Sequence, residues 1–372
     1  MEKKSKSEYM KKIKNNINKS HIGSVSVIIP CYNYARFLPE CLKSVLSQEN
    51  VKLNVLVIDD ASTDNSAKVA KEWAKKDSRI EVIIHKKNKG HIATFNEGLK
   101  WATNDYTVLI SSDDMLTPGS LARAASLMDS RPEVGFVYGS AILIKEGETP
   151  RKPRTGSIKN YIISGQKWIE YRCKSGKNCI ASPECMTRTS LQHKLGGYFS
   201  FLPHADDFEM WLRFAAHSDV GFINGADQAY YTVHSDSMSN STFHDPLIRK
   251  QQEKLAFDTL FSRHSKFIHD ANRLHKLVNK KLAKLTLIQA LHSYCKEGVS
   301  ETKVDQLINF SIETCPSITN SPIYIVLTQR RKLGHFILLL TNKFYRDMEN
   351  FPHSISRILP NHIKDYWAIV CL

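Results

Sequence analysis

The chain has 372 residues, 42% of them hydrophobic, enough for one large core and an accessory region. No stretch approaches the roughly 18 apolar residues of a membrane-spanning helix, and the Lys-rich start lacks the apolar centre and cleavage site of a secretory signal. The net charge of +15 is uneven: residues 1–24 carry +5, residues 246–372 carry +9, and the middle is close to neutral at +1. A nucleic-acid enzyme concentrates positive charge around its site, so this distribution argues against a nucleic-acid partner. Basic ends on a neutral body suit an anionic membrane surface, or solubility alone. Eight cysteines without a Cys-x-x-Cys pair read as reduced thiols of a cytoplasmic protein. The evenly spaced Cys173, Cys179 and Cys185 have no His or further Cys to complete a zinc pattern.

In chain order, Ser24 to Ile29 is an unbroken β-rich run ended by Pro30. Cys31-Tyr32-Asn33 then leads into a helix over 35–48, with apolar residues at 37, 38, 42, 45 and 46. Leu53 to Ile58 predicts a second buried strand, stopping at Asp59-Asp60. Ser62-Thr63-Asp64 offers the cap for a helix to about Lys76. Arg79 to His85 reads as a third strand and 90–102 as a third helix. The fourth strand, Tyr106 to Ile110, is followed by Asp113-Asp114; Thr117 then offers a helix cap and Pro118 suits a first helical position. A helix follows over 120–130, and Val134 to Tyr138 continues the sheet.

This alternation predicts an α/β fold with a mostly parallel central sheet flanked by helices. Parallel strands share a carboxyl edge, so Asp59-Asp60 and Asp113-Asp114 gather where open α/β sheets bind ligands. One isolated Asp pair is ordinarily a solvated loop. Two pairs on one edge supply oxygen ligands for a hard divalent cation, and hence for a phosphorylated ligand. Pro-Cys-Tyr-Asn follows the first strand where a dinucleotide fold would have Gly-x-Gly-x-x-Gly, and no Walker loop is present. The phosphates therefore lack a glycine-rich turn, which raises the need for a metal.

Over 141–197 the pattern loosens: Thr149 to Gly156 reads as a loop, Gln166 to Cys173 as a helix and Gly196-Gly197 as a turn. Asp206 to Ala216 is an amphipathic helix opening on two acids, which the helix dipole alone would favour. The run from Gly221 to Val233 ends in polar His234 to Ser239. Beyond Pro246 the chain is rich in Lys, Leu and Gln with helical periodicity to about His292, and 299–310 predicts another helix. Ile323 to Leu327 and 336–340 are short apolar runs with basic flanks. They read as the buried face of an accessory helical domain, with a surface-lying membrane helix as the alternative.

Four stretches together resemble the inverting glycosyltransferases of family 2, with the GT-A fold. They are Val27-Ile-Ile-Pro-Cys-Tyr-Asn33, Val57-Ile-Asp-Asp-Ala-Ser-Thr-Asp64, Ser111-Ser-Asp-Asp114 and Asp206-Asp-Phe-Glu-Met-Trp-Leu-Arg213. Asn88-Lys-Gly90 with Asn96, and His234 with Ser237 and Ser239, are similar to further family segments. The resemblance divides the chain into a basic extension (1–23), a GT-A domain (24–245) and a basic, mainly helical region (246–372). It implies transfer, with inversion, from a nucleoside-diphosphate sugar, UDP-linked first, to a glycan or lipid-linked acceptor. The setting is bacterial surface polysaccharide synthesis at the cytoplasmic face of the membrane, with a divalent cation, Mn2+ or Mg2+, as cofactor. By the same resemblance Asp60, with Asp59, recognises the base. Pro30, Tyr32, Asn33 and Asn88 line the donor pocket, and Asp113 lies near the ribose. Asp114 coordinates the metal, and His234 approaches the metal or diphosphate. Asp207 is the general base, Asp206 stands where the family has Glu, and Trp211 and Arg213 complete that segment.

Three rivals compete with that reading. A sugar nucleotidyltransferase carries a Gly-rich basic loop after its first strand, which Pro30 to Asn33 lacks. A nucleic-acid-binding protein has only the charge in its favour. A silent scaffold has no use for three acidic sites. The transferred sugar, the linkage and the oligomeric state are not written in any readable pattern.

Overall fold

A computed structural model describes residues 11–13, 23–237, 245–294 and 300–333. Ser239, the 336–340 run and most of the basic extension lie outside the described residues. The strands are β1 (Lys11–Ile13), β2 (Ser24–Cys31), β3 (Lys52–Asp59), β4 (Ile80–Ile84), β5 (Tyr106–Leu109), β6 (Met115–Leu116), β7 (Val134–Lys145), β8 (Thr155–Ile163), β9 (Met186–Arg188) and β10 (Asp219–Val233). They form one sheet in the order β1-β8-β10-β7-β9-β5-β2-β3-β4, with β6 paired to β10 off this path.

The block β5-β2-β3-β4 is wholly parallel. Val25, Val27, Ile28 and Ile29 of β2 and Val55 to Ile58 of β3 are fully buried, as strands covered on both faces must be. Helices α1 (Leu38–Leu46), α2 (Ser66–Lys76) and α3 (His91–Trp101) make the crossovers. Past β5 the sheet becomes mixed. β9 is antiparallel to both β5 and β7, while β10 runs parallel to β7 and antiparallel to β8 and β6. The run at Val134 thus joins the sheet through a three-residue strand too short to show any periodicity.

Two helix starts differ from the sequence expectation. Met115-Leu116 is drawn into β6, so Thr117 does not cap a helix: its Oγ1 donates to the Asp227 carbonyl (2.6 Å). Gly119, at φ +72°, turns the chain, and α4 (Ser120–Asp129) begins at Ser120. Likewise α2 begins only at Ser66, whose N–H and hydroxyl both donate to Asp64 Oδ1 (2.9 and 2.5 Å). The remaining helices of this part are α5 (Gly165–Ser175), α6 (Thr189–Leu195) and α7 (Asp206–Ala215).

By its described residues the chain divides into two compact units, Met1–Ile169 with Ile180–Thr242 and Glu170–Cys179 with Phe243–Leu372. The second contains α8 (Pro246–His264), α9 (Ala271–Tyr294), α10 (Glu301–Thr314) and α11 (Pro322–Leu333). Asp245 caps α8 by accepting the Leu247 N–H (2.8 Å). Leu287 and Leu291 of α9 pack with Val304, Leu307 and Ile308 of α10 and Leu327 of α11. Ile323 joins that packing, whereas Ile325 and Val326 are exposed. Among the described residues no helix is long and apolar enough to cross a membrane.

Candidate active site

The carboxyl edge of the parallel block is where the acids collect. β2 ends at Cys31 and β3 at Asp59, register partners in neighbouring strands. The two loops that follow are stitched together by side chains. The Asn33 N–H donates to Ser62 Oγ (2.9 Å), Tyr34 N–H to Ser66 Oγ (3.0 Å) and Ala35 N–H to Asp64 Oδ2 (3.0 Å). In return Asn33 Oδ1 accepts the Thr63 N–H (2.7 Å). Asn33 and Ala61 lie at φ +58° and +60°, a left-handed conformation that costs a non-glycine residue roughly 1–2 kcal/mol. The cross-ties hold both residues there. Pro30 is buried beneath this pair of loops, and the Tyr32 ring is 46% exposed beside them.

Asp60 is fully engaged. Its Oδ1 accepts from His85 Nδ1 (2.7 Å) and the Lys89 N–H (2.8 Å), its Oδ2 from the Gly90 N–H (2.9 Å). Burial pushes this carboxyl upward, but the His85 bond and the two amides outweigh it and hold the group below the usual carboxylate range. Asn88 shapes the loop by accepting the Gly90 N–H (2.9 Å). His85 Nε2 lies 3.1 Å from Glu97 Oε2, which also takes Lys89 Nζ (2.8 Å). Asp59 accepts the Ser62 N–H at Oδ2 (3.1 Å), while its buried Oδ1 has no partner among the described residues.

The second acid pair follows β5. Asp114 Oδ1 accepts the Thr232 N–H of β10 (2.9 Å), and Asp113 Oδ2 meets His234 Nε2 at 2.8 Å. The hydrogen bond to Asp113 raises the His234 imidazole above its ordinary value. Burial, then the Asp113 charge, pushes the Asp114 carboxyl well upward. The other Asp113 oxygen is buried without a partner among the described residues. The His234 ring packs against Tyr34 (5.4 Å between centroids) and Phe37 (5.0 Å) of the loop and turn after β2. Arg36 fastens the same corner through Asp236 (2.9 Å) and Glu146 (3.0 Å).

Two carboxylates with repelling charges, one imidazole and an orphaned buried oxygen form a donor set that suits a hard divalent cation. Among the described residues no three His, Cys, Asp or Glu side chains close into a cage.

The third acidic site opens α7. Asp207 Oδ2 accepts the Ser182 hydroxyl (3.3 Å). Ser182 shares a small cavity with Leu109 at the end of β5, which brings the start of α7 to the same edge. Burial and the neighbouring Asp207 charge push the half-buried Asp206 carboxyl well upward. Trp211 and Arg213 turn inward instead. Trp211 stacks on Phe136 (5.7 Å between centroids), and Arg213 pairs with buried Glu209 (3.1 Å) while donating to the Gly197 carbonyl (2.8 Å). They hold α7 and the 195–197 turn in place.

Sequence reasoning missed His85, Ser182 and Glu184. His85 reads only as a strand end. Ser182 and Glu184 sit in a three-residue 3-10 helix inside the patternless stretch. Burial pushes the Glu184 carboxyl up to about 8.

The profile of Glycosyl transferase family 2 matches residues 26–188, a span that includes both acid pairs. The chain is 30% identical over 221 residues to the Escherichia coli UDP-Glc:alpha-D-GlcNAc-diphosphoundecaprenol beta-1,3-glucosyltransferase WfgD, covering 59% of this chain and 81% of that protein. The chain belongs to glycosyltransferase family 2. Its GT-A fold is shared with S. aureus TarS 1-349 in complex with UDP-GlcNAc, at a TM-score of 0.59 and 18% identity over 79% of this chain and 82% of that one. The mannosyltransferase PcManGT from Pyrobaculum calidifontis, solved with GDP-Man and Mn2+, has the same fold at a TM-score of 0.52 and 15% identity over 85% and 81% of the two chains. The family 2 glycosyltransferase profile stops short of α7 and His234.

Proposed function

We propose that this family 2 glycosyltransferase moves a sugar, with inversion, from a UDP-sugar to a lipid-linked sugar acceptor in surface polysaccharide synthesis. The observation that supports the reading is two acid pairs at the carboxyl edge of the parallel strands, with Asp59 Oδ1 and Asp113 Oδ1 buried without partners among the described residues, beside a third acidic pair opening α7. The similarity to WfgD, a UDP-Glc:alpha-D-GlcNAc-diphosphoundecaprenol glucosyltransferase, supports the choice of nucleotide and acceptor class. The UDP-GlcNAc complex of TarS supports the nucleotide.

Asp114 and Asp113, with His234, would hold Mn2+ or Mg2+. A cation there supplies positive charge against the diphosphate leaving group, a contribution of several kcal/mol. Asp60 and Asp59, with Pro30, Tyr32, Asn33 and Asn88, form the nucleoside side of the pocket, Asp60 being fixed by His85 and two backbone amides. Asp113 would also lie near the ribose. Asp207 takes the proton of the acceptor hydroxyl as it attacks opposite the leaving group, so no covalent sugar-enzyme intermediate forms. General-base help of this kind contributes about 10²–10⁴ in rate. Residues 24–245 form the catalytic domain in this reading. The basic 246–372 region brings the enzyme to the inner face of the membrane.

A thermal-shift panel of UDP, GDP and UDP-sugars, each with Mn2+, tests the donor assignment. A ligand that binds only the native state raises the melting temperature. UDP and at least one UDP-sugar are expected to raise it more than GDP does. A panel in which no nucleotide moves the transition would sink the reading.

A further inference from the structure

Among the described residues, the outer half of β7 has no strand on one side. β9 covers β7 only at Phe136 and Val137, and Glu184 takes a backbone hydrogen bond from Ala141. Ile142 and Ile144 turn into the core, so Ala141, Leu143 and Lys145 face outward. Leu143 is 72% exposed, the most of any exposed large hydrophobic side chain among the described residues. One exposed leucine is ordinary. This one lies in an open pocket of about 400 Å³ whose other wall is the Glu148 to Arg151 loop.

That wall carries both Glu148 and Arg151, and its basic end is anchored from below. Asp227, with a fully buried side chain, sits at a register shift in β10. It accepts Arg154 Nε (3.0 Å) and Nη2 (2.7 Å) at one oxygen and Arg151 Nη1 (2.9 Å) at the other. Arg123 Nη2 donates to its carbonyl (2.8 Å). Two guanidinium groups therefore converge on one carboxylate and a third on the backbone carbonyl of the same residue, with exposed Lys152 beside them. The Arg151 and Arg154 side chains remain 52% and 51% exposed, each with N–H groups to spare. An apolar floor beside surplus positive charge complements an anionic amphiphile. The place is also right. Ile144 pairs with Thr232, whose N–H holds Asp114, so the Ile144 end of the pocket lies one strand from the residue that holds Asp114, while the Asp227 end, paired with Ser140, lies further back along the strands.

We infer that this pocket seats the acceptor, a polyisoprenyl-diphosphate-linked sugar, with its diphosphate on Arg151, Arg154 and Lys152. The first isoprenoid units lie over Leu143 and Pro150. The inference rests on the lipid-linked acceptor proposed above and assigns its site.

The test is a calorimetric titration of the full chain with farnesyl diphosphate, in saturating UDP and Mn2+ so that the donor site is filled. Inorganic diphosphate and farnesol form separate arms. Farnesyl diphosphate is expected to bind at least about tenfold more tightly than either half-ligand, and Leu143→Asp and Arg151→Gln are each expected to remove about that factor. UDP affinity in the variants reports that they fold. Lys152→Glu, at an exposed side chain, replaces Arg151→Gln if loosening Asp227 unfolds the protein. Equal binding of farnesyl diphosphate and inorganic diphosphate overturns the assignment. So does a Leu143→Asp protein that binds farnesyl diphosphate normally but sediments at a smaller mass, which would make the strand edge a contact between copies. Failure of the glycosyltransferase reading shows separately, as absence of UDP binding before any lipid is added.

Discussion

Asp207 and Asp60 are both carboxylates at the sheet edge, yet their surroundings give them different work. Asp60 accepts three short hydrogen bonds and is held ionised and still. Asp207 accepts the Ser182 hydroxyl at Oδ2 (3.3 Å) and the Phe208 N–H at Oδ1 (2.6 Å) at the start of α7, and in the proposed reaction it takes the acceptor proton. Asp207→Asn is therefore expected to keep UDP affinity and to lose turnover by about 10²–10⁴, read by single-turnover transfer assays. His85→Ala removes a charge-assisted bond from Asp60 and should weaken UDP binding by about tenfold with little change in kcat, since such bonds are worth roughly 1.5–3 kcal/mol. A variant with equal losses in both would place His85 in the chemical step. The acid pairs were legible in the sequence because each follows an apolar strand. His85 was not, because its meaning depends on two carboxylates 25 and 12 residues away.

At the scale of elements, close packing and buried charge decide which strands and helices can move. Gly165 lies where an added Cβ would come within 1.8 Å of the Ala215 carbonyl oxygen, while at Gly98 it would meet the Ile28 side chain at 2.3 Å. Backbone cannot give way as a side chain can. Gly165→Ala is thus expected to lower the melting temperature more than Gly98→Ala, whose overpacking costs about 1–3 kcal/mol. Asp227 offers a pH test. Burial raises its carboxyl, but the Arg154 and Arg151 bonds outweigh that and hold it below the usual range. Its stabilising contribution is present above the ordinary carboxylate pKa and is lost as pH falls through the lowered folded value. Asp227→Asn should accordingly flatten the acid limb of melting temperature against pH below about pH 4; an unchanged limb would contradict the pairing. The long strands and helices were readable from periodicity. β6, β9 and the displaced start of α4 were not, because pairing with β10, β5 and β7 creates them.

For the whole molecule, the decisive property is convergence. Loops from β2, β3 and β5 and the β10 end bring polar groups to a common edge, and in the proposed reaction the start of α7 adds Asp207. The order of strands made the first three foreseeable, since parallel neighbours share their carboxyl ends. His234 arrives by a strand that could be read only loosely, and Asp207 by a helix whose acids fit a capping role equally well. The acceptor side was the least legible. Asp227, Arg151 and Arg154 carry no motif, and only the fold brings them together. The measurement that bears most directly on this convergence is calorimetric titration of UDP with and without Mn2+, for the wild type and for Asp114→Ala. Wild-type affinity should fall by at least about tenfold when EDTA replaces the metal, and Asp114→Ala should show the weak value under both conditions. Equal affinity in all four titrations would contradict a cation held at this edge.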